Sequence, residues 1–219
     1  MEYVKICGLK DPLHIKLCLE YGADAVGFIY NVPSSPRNLE KDELLTLLRK
    51  FSKGILRVII NRSDSLSDCV NIMNEINADY YQFHCNFSLR EFDKFPMNMR
   101  KKIIVGMKIN PTNKDSVINE IIFSFDQFFA FLLDNSEGQG TDLDYDLILE
   151  VLRRTYGSKI IIAGGINIDN VEYLIKNLKP FGIDASSSLE SERGVKDSIK
   201  IVKFLNKIKE IKCYMQSGT

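Results

Sequence analysis

Cys7 ends the apolar, partly β-branched run Tyr3-Val4-Lys5-Ile6 and is followed at once by Gly8, so its thiol stands where a strand hands over to a loop. Loops held by a rigid scaffold are where proteins usually carry chemistry, and a thiol in such a place is either a reactive group or a small apolar filler. Asp134 closes a second apolar run, Phe129-Ala130-Phe131-Leu132-Leu133, ahead of the loop 135–141. Partial burial there would favour its protonated form and suit it to general-acid work; the plainer role is a helix or turn cap. His84 follows Tyr81-Gln82-Phe83, as a ligand, a proton carrier or a satisfied structural imidazole. Arg37 lies in Pro33-Ser34-Ser35-Pro36-Arg37, where a proline-stiffened loop presents a guanidinium fork that fits a carboxylate, unless it is a solvated surface arginine. Gly164-Gly165 and Ser186-Ser187-Ser188 have phosphate character, since backbone N–H groups and hydroxyls both donate to phosphate oxygens.

These residues are far apart in sequence, so the elements between them must bring them together. Apolar runs at Tyr3–Cys7, Ala25–Tyr30, Ile55–Ile60, Tyr80–Phe83, Ile103–Lys108, Phe129–Leu133, Ile160–Ala163 and Gly182–Ala185 read as strands. Between and after them, helical spacing is expected over Pro12–Tyr21, Lys41–Lys50, Ser65–Ile76, Ser88–Lys94, Asp115–Ile122, Asp144–Thr155, Asn170–Leu178 and Asp197–Ile208. Asp11 is placed to cap the first helix, with Pro12 at its first position and Gly22 past its end. Strands apolar on both faces imply a parallel sheet covered by helices. Eight such units predict an α/β fold, a single closed eight-stranded parallel β/α (TIM) barrel over residues 1–219, with a frayed tail from about 211 to 219. An open doubly wound sheet is the other architecture, but its glycine-rich fingerprint is missing after the first strand, where Gly8 stands alone.

In a barrel, active sites form at the C-terminal ends of the strands. That rule collects Cys7, Arg37, Asn61, Arg62, His84, Asp134, Gly164, Gly165 and Ser186 to Ser188 on one rim. The glycine pair follows the seventh strand and the serines the eighth, where barrels frequently hold a phosphate.

Composition narrows the partners. Lys plus Arg and Asp plus Glu both total 29, so the net charge is zero and no basic field for nucleic acid is expected, though a single phosphate group fits. No charged-then-apolar leader and no apolar run of about 20 residues is present, which points to a soluble, cytoplasmic protein without a membrane partner. Five cysteines without paired short spacing, and two histidines, suggest free thiols rather than a disulfide framework or a metal cluster.

The segments Lys5-Ile6-Cys7-Gly8-Leu9, 22–28, Ser35-Pro36-Arg37, Gln82-Phe83-His84, Leu132-Leu133-Asp134, Ala163-Gly164-Gly165-Ile166 and 182–187 together resemble phosphoribosylanthranilate isomerase of tryptophan biosynthesis, in that family's order and spacing. The resemblance covers nearly the whole chain. It implies an aldose–ketose isomerase that performs a cofactor-free Amadori rearrangement of an aminoaldose phosphate, with a small-molecule phosphosugar as partner and a monomer or homodimer as assembly. By the same resemblance Asp134 is the general acid, Cys7 the general base, Arg37 the holder of the anthranilate carboxylate, and Gly164, Gly165, Ser186, Ser187 and Ser188 the phosphate holders, with His84 on the substrate side. A thiol acting as base should have a depressed pKa or be deprotonated by the bound substrate. The sequence departs from the family at Cys85 and Ser188, where glycine is usual, and in the loop Glu137-Gly138-Gln139-Gly140. Cys85 is expected to narrow the mouth near His84. Two other readings stand beside this one: the related ribotide isomerase of histidine biosynthesis, which uses two aspartates and is opposed by Cys7, and an inactive phosphate-binding barrel acting as a subunit or scaffold.

Overall fold

Strands that bury both faces must be wrapped by helices on one side and filled by side chains on the other, and the computed structural model, which describes residues 1–135 and 143–217, has that arrangement. The barrel strands are β1 (Tyr3–Cys7), β2 (Ala25–Tyr30), β3 (Leu56–Ser63), β4 (Tyr80–Cys85), β5 (Ile103–Lys108), β6 (Ala130–Asp134), β7 (Ile160–Ala163) and β8 (Gly182–Ala185). Each pairs in parallel with the next, and β1 pairs with both β2 and β8, so the sheet closes on itself. A two-residue strand, Asn38–Leu39, adds to the end of β2.

Alternation along each strand decides which side chains enter the barrel. Val4 and Ile6 of β1 join the large core under the helices, whereas Tyr3 and Cys7 join the interior cluster with Ala25, Val58, Ile60, Ile104, Ala130, Leu132, Ile161 and Ala163. The N-terminal end of the interior is plugged by rings: Tyr3 stacks on Phe181 at 6.0 Å, Tyr80 meets Phe129 at 4.0 Å, and Lys159 lies over Phe129 and Phe181. The rings fill that end of the interior, and the large cavity lies at the other.

Helices start where the local signals place them. Asp11 Oδ1 accepts from the Leu13 N–H at 2.7 Å, with Pro12 first in the helix Pro12–Glu20. Ser65 and Asp68 form a reciprocal capping box for Leu66–Glu75. After β4 the connection is a 3₁₀ segment, Leu89–Lys94, and a single turn, Met97–Arg100. The helix after β7 begins at Val171–Tyr173 and ends in a π-helical turn, Leu174–Leu178. The last helix runs Ser198–Ser217, and Ile211 on it is buried because its apolar face continues to pack on the core. No helix among the described residues is long and apolar enough to cross a membrane.

Candidate active site

The alternation that buries Val4 and Ile6 outward turns Lys5 and Cys7 inward, and the same parity on the other strands turns His84, Asp134 and Asp184 inward. A large cavity at the C-terminal mouth is lined by Cys7, Arg37, His84, Asp134, Gly164 and Ser187, among others. Residues from across the sequence thus share one rim.

Cys7 is buried beside charge. Burial pushes its thiol above the ordinary value, and Lys5 and Lys196 pull it back while Asp184 pushes with the burial. Of the two routes to a thiolate, a depressed pKa or deprotonation by the bound substrate, burial works against the first, because desolvation of a thiolate outweighs the nearby cations. Below Cys7 lies Lys5, fully buried, with its Nζ 2.8 Å from Asp184 Oδ2. The register makes Lys5 and Asp184 direct partners across β1 and β8. The other oxygen of that carboxylate, Asp184 Oδ1, is buried without a hydrogen-bond partner and borders the cavity.

Asp134 is half-buried at the end of β6, opposite Lys108 of β5 and Ala163 of β7 in register. His84 packs flat against Gly106, where any Cβ would come within 2.5 Å of the ring, so only glycine lets the imidazole lie there. The Gln82 side-chain amide lies 3.0 Å from His84 Nε2. Burial holds the imidazole down to about 4, with Asp134 working the other way, so at neutral pH it is uncharged and Nε2 accepts from the Gln82 amide.

Arg37 does not reach into an empty cavity. Its Nε and Nη2 donate to Glu190 Oε1 and Oε2 at 2.6 and 2.7 Å. Glu190 also accepts from Lys196 Nζ at 2.7 Å and from the Gly194 N–H at 3.0 Å. Burial opposes the Glu190 charge, but Arg37, Lys196 and the Gly194 amide outweigh it and bring the carboxyl down to about 2. Two cations around one carboxylate leave a net positive charge at this corner of the mouth, which suits an anionic ligand group.

The serine loop is partly committed. Ser188 Oγ donates to the Ile166 carbonyl at 2.5 Å, tying the eighth loop to the seventh, and Ser186 Oγ donates to the Cys7 carbonyl at 3.1 Å. Among the described residues the Ser187 hydroxyl is the one left over. In the seventh loop Asn170 Nδ2 donates to the Gly165 carbonyl at 2.9 Å, which anchors the glycine pair. Cys85 turns away from the barrel axis and packs against the outer core that holds Cys69 of Leu66–Glu75, so it borders the mouth without filling it. Asn61 also faces outward, donating to the Tyr30 and Asn31 carbonyls at 2.9 and 3.2 Å; it shapes the second loop instead of lining the cavity. Glu137-Gly138-Gln139-Gly140 lies outside the described residues. Among the described residues no group of His, Cys, Asp and Glu side chains comes together in a way that could hold a metal ion.

Lys5, Asp184, Glu190 and Lys196 are the residues that the motif reading passed over. A signal existed for the first two: opposite charges inside apolar strands, each at an inward-facing position.

The profile of the family described as N-(5'phosphoribosyl)anthranilate (PRA) isomerase matches residues 4–207. The chain belongs to that family. It is 30% identical over 212 residues to the N-(5'-phosphoribosyl)anthranilate isomerase of a Sulfurihydrogenibium species, covering 94% of this chain and 98% of that one. With the enzyme of the same name from Methanosarcina acetivorans it shares 28% over 226 residues, or 96% and 93% of the two chains. The crystal structure of phosphoribosyl anthranilate isomerase from Thermotoga maritima superposes with a TM-score of 0.79 at 25% identity, over 96% of this chain and 100% of that one. An isomerase solved in complex with reduced 1-(o-carboxyphenylamino)-1-deoxyribulose 5-phosphate gives the same score, identity and coverage.

Proposed function

We propose that this family member converts N-(5'-phosphoribosyl)anthranilate to 1-(o-carboxyphenylamino)-1-deoxyribulose 5-phosphate, with Asp134 as general acid and Cys7 as general base. The observation that carries the assignment is the inward-facing thiol at the end of β1 and the inward-facing carboxyl at the end of β6, across one cavity mouth. Asp134, as general acid, gives a proton to the furanose ring oxygen as the C1'–O bond breaks, and the nitrogen lone pair forms the Schiff base. Cys7, as thiolate, takes the proton from C2', and the electrons move toward nitrogen to give the enolamine, which tautomerises to the ketone. The substrate is itself an anion-bearing molecule. Its carboxylate is received at the Arg37, Lys196 and Glu190 corner, where one positive charge is uncompensated. Its phosphate is held by backbone N–H groups of the Gly164-Gly165 and Ser186–Ser188 loops together with the Ser187 hydroxyl. Neutral His84 offers an uncharged ring edge to the sugar.

The test is turnover of phosphoribosylanthranilate, followed by loss of its fluorescence. Cys7→Ser and Asp134→Asn are each expected to lower kcat by roughly 10²- to 10⁴-fold, the range a positioned acid or base supplies. Wild-type protein that binds a product analogue without turning substrate over would defeat the assignment.

A further inference from the structure

A fully buried lysine in the centre of a barrel is costly, and neither the fold nor the reaction as described so far uses Lys5. Apolar side chains such as Val58, Ile104 and Ile161 make up the interior cluster of the barrel. Room for the ammonium is made by a missing side chain: a Cβ on Gly27 would come within 3.1 Å of Lys5 Nζ and 3.2 Å of Cys7 Cα. The ammonium and the thiol-bearing residue therefore share one small space, and Lys5 acts electrostatically on Cys7 besides its ion pair with Asp184.

We propose that Lys5 is a positioning residue for Cys7, its buried ammonium supplying the charge against which the thiolate forms, while Asp184 competes for the same ammonium. The proposal rests on Cys7 being the base. Burial opposes the charge on Lys5, and Asp184 and Cys7 more than restore it, so the ammonium persists above the ordinary lysine range. With Lys5 and Asp184 both ionised the pair is neutral, and the ammonium is the cation with the largest pull on the thiol. The charged and titratable groups that face Cys7 come from several elements. Tyr3 and Lys5 come from its own strand, Asp184 from β8, and Lys196 from the segment Val195–Lys196. From the second loop Arg37 contributes, itself held by Glu190, and across the mouth Asp134 acts on Asp184 and His84. Lys196 is spread between Glu190 and Ser186, and Lys5 is the cation that lowers the thiol most.

Two neighbouring variants are expected to shift the Cys7 thiolate in opposite directions. Alkylation of Cys7 by iodoacetamide in the full-length protein, read by mass spectrometry of the Cys7 peptide across pH, reports its thiolate without any turnover. Lys5→Met is expected to move the midpoint up by about one pH unit or more, roughly a tenfold loss of thiolate at a given pH below it. Asp184→Asn frees the ammonium and is expected to move it down. Since Lys5→Met leaves a buried carboxylate unpaired and can fail to fold, the double variant Lys5→Met/Asp184→Asn supplies a neutral pair of similar shape. Its midpoint is expected above that of Asp184→Asn. Midpoints that coincide in those two proteins, or single variants that shift the same way, would overturn the proposal. Turnover by Cys7→Ser tests the base assignment separately, because alkylation of Cys7 does not depend on it.

Discussion

His84 shows what burial does to a single titratable group. The folded protein keeps this imidazole neutral down to about pH 4, whereas an exposed histidine takes a proton near 6.5. A group whose folded pKa is depressed and whose neutral form is the native one gives its full stabilisation above the unfolded value. As pH falls from 6.5 toward 4 the unfolded chain binds a proton that the folded chain refuses, so stability drops and then levels off. The loss is expected to be no more than about 3 kcal/mol. Urea denaturation at pH 7 and at pH 4.5 measures it, and His84→Gln should remove that part of the slope while leaving the contribution of Glu190 below it. Equal slopes in the two proteins would show that the imidazole does not carry the effect. The position of His84 at a strand end was visible in the motif Gln82-Phe83-His84; its charge state was not, because that depends on Gly106 of the neighbouring strand leaving room for the ring.

Among elements, the contact that matters most to the site is between the loops after β1 and β2. Gly8 has φ +77, and a Cβ there would stand 2.4 Å from Arg37 Cδ. The loop after the thiol therefore passes directly under the arginine stem, and glycine is needed for both the backbone and the space. Gly8→Ala is expected to destabilise the protein by about 1–3 kcal/mol and to raise KM for the anthranilate substrate about tenfold, by displacing a charge-assisted contact. Thermal unfolding and steady-state kinetics measure the two effects; an unchanged KM would mean that Arg37 does not hold the carboxylate. Glu190 lies at the start of a short hairpin, Glu190–Glu192 with Val195–Lys196, that follows the serine loop. This hairpin was not legible in the sequence. Its strands are too short to show alternation, and its purpose is to carry Glu190 and Lys196 to Arg37, from which Glu190 is separated by 153 positions in the chain.

For the molecule as a whole, closure is the decisive event, since β1 has to find both β2 and β8. Two aspartates reinforce the bottom of the barrel in the same way. Asp24, just before β2, accepts from the Val4 N–H of β1 at 2.8 Å, and Asp79, just before β4, accepts from the Arg57 N–H of β3 at 2.8 Å. Each lends a carboxylate to a neighbouring strand's first amides. Asp24→Ala is expected to cost about 1–3 kcal/mol, the value of a hydrogen bond to a charged group. Because the strands are linked in a ring, the loss should appear as a lower midpoint of one cooperative transition, measured by circular dichroism and by tyrosine fluorescence together. Divergence of the two signals would place Asp24 in a region that unfolds on its own.

The barrel and the rim residues could be read in advance because both follow from local rules. Continuous apolar runs separated by helical spacing demand a covered parallel sheet, and Cys7, Asp134 and His84 stand at strand ends whose parity points them inward. Asn61 and Cys85 stand near similar strand ends and face outward, because each lies two positions after an outward-facing residue, Ile59 and Phe83. Tertiary structure alone determined who partners whom. Lys5 meets Asp184 only because closure sets β1 against β8 in that register, and Arg37 meets Glu190 only because the eighth loop folds back over the second. Charge state follows the partners: a thiol, an imidazole and a carboxylate titrate according to what burial and neighbours do to them, and those neighbours come from elsewhere in the chain.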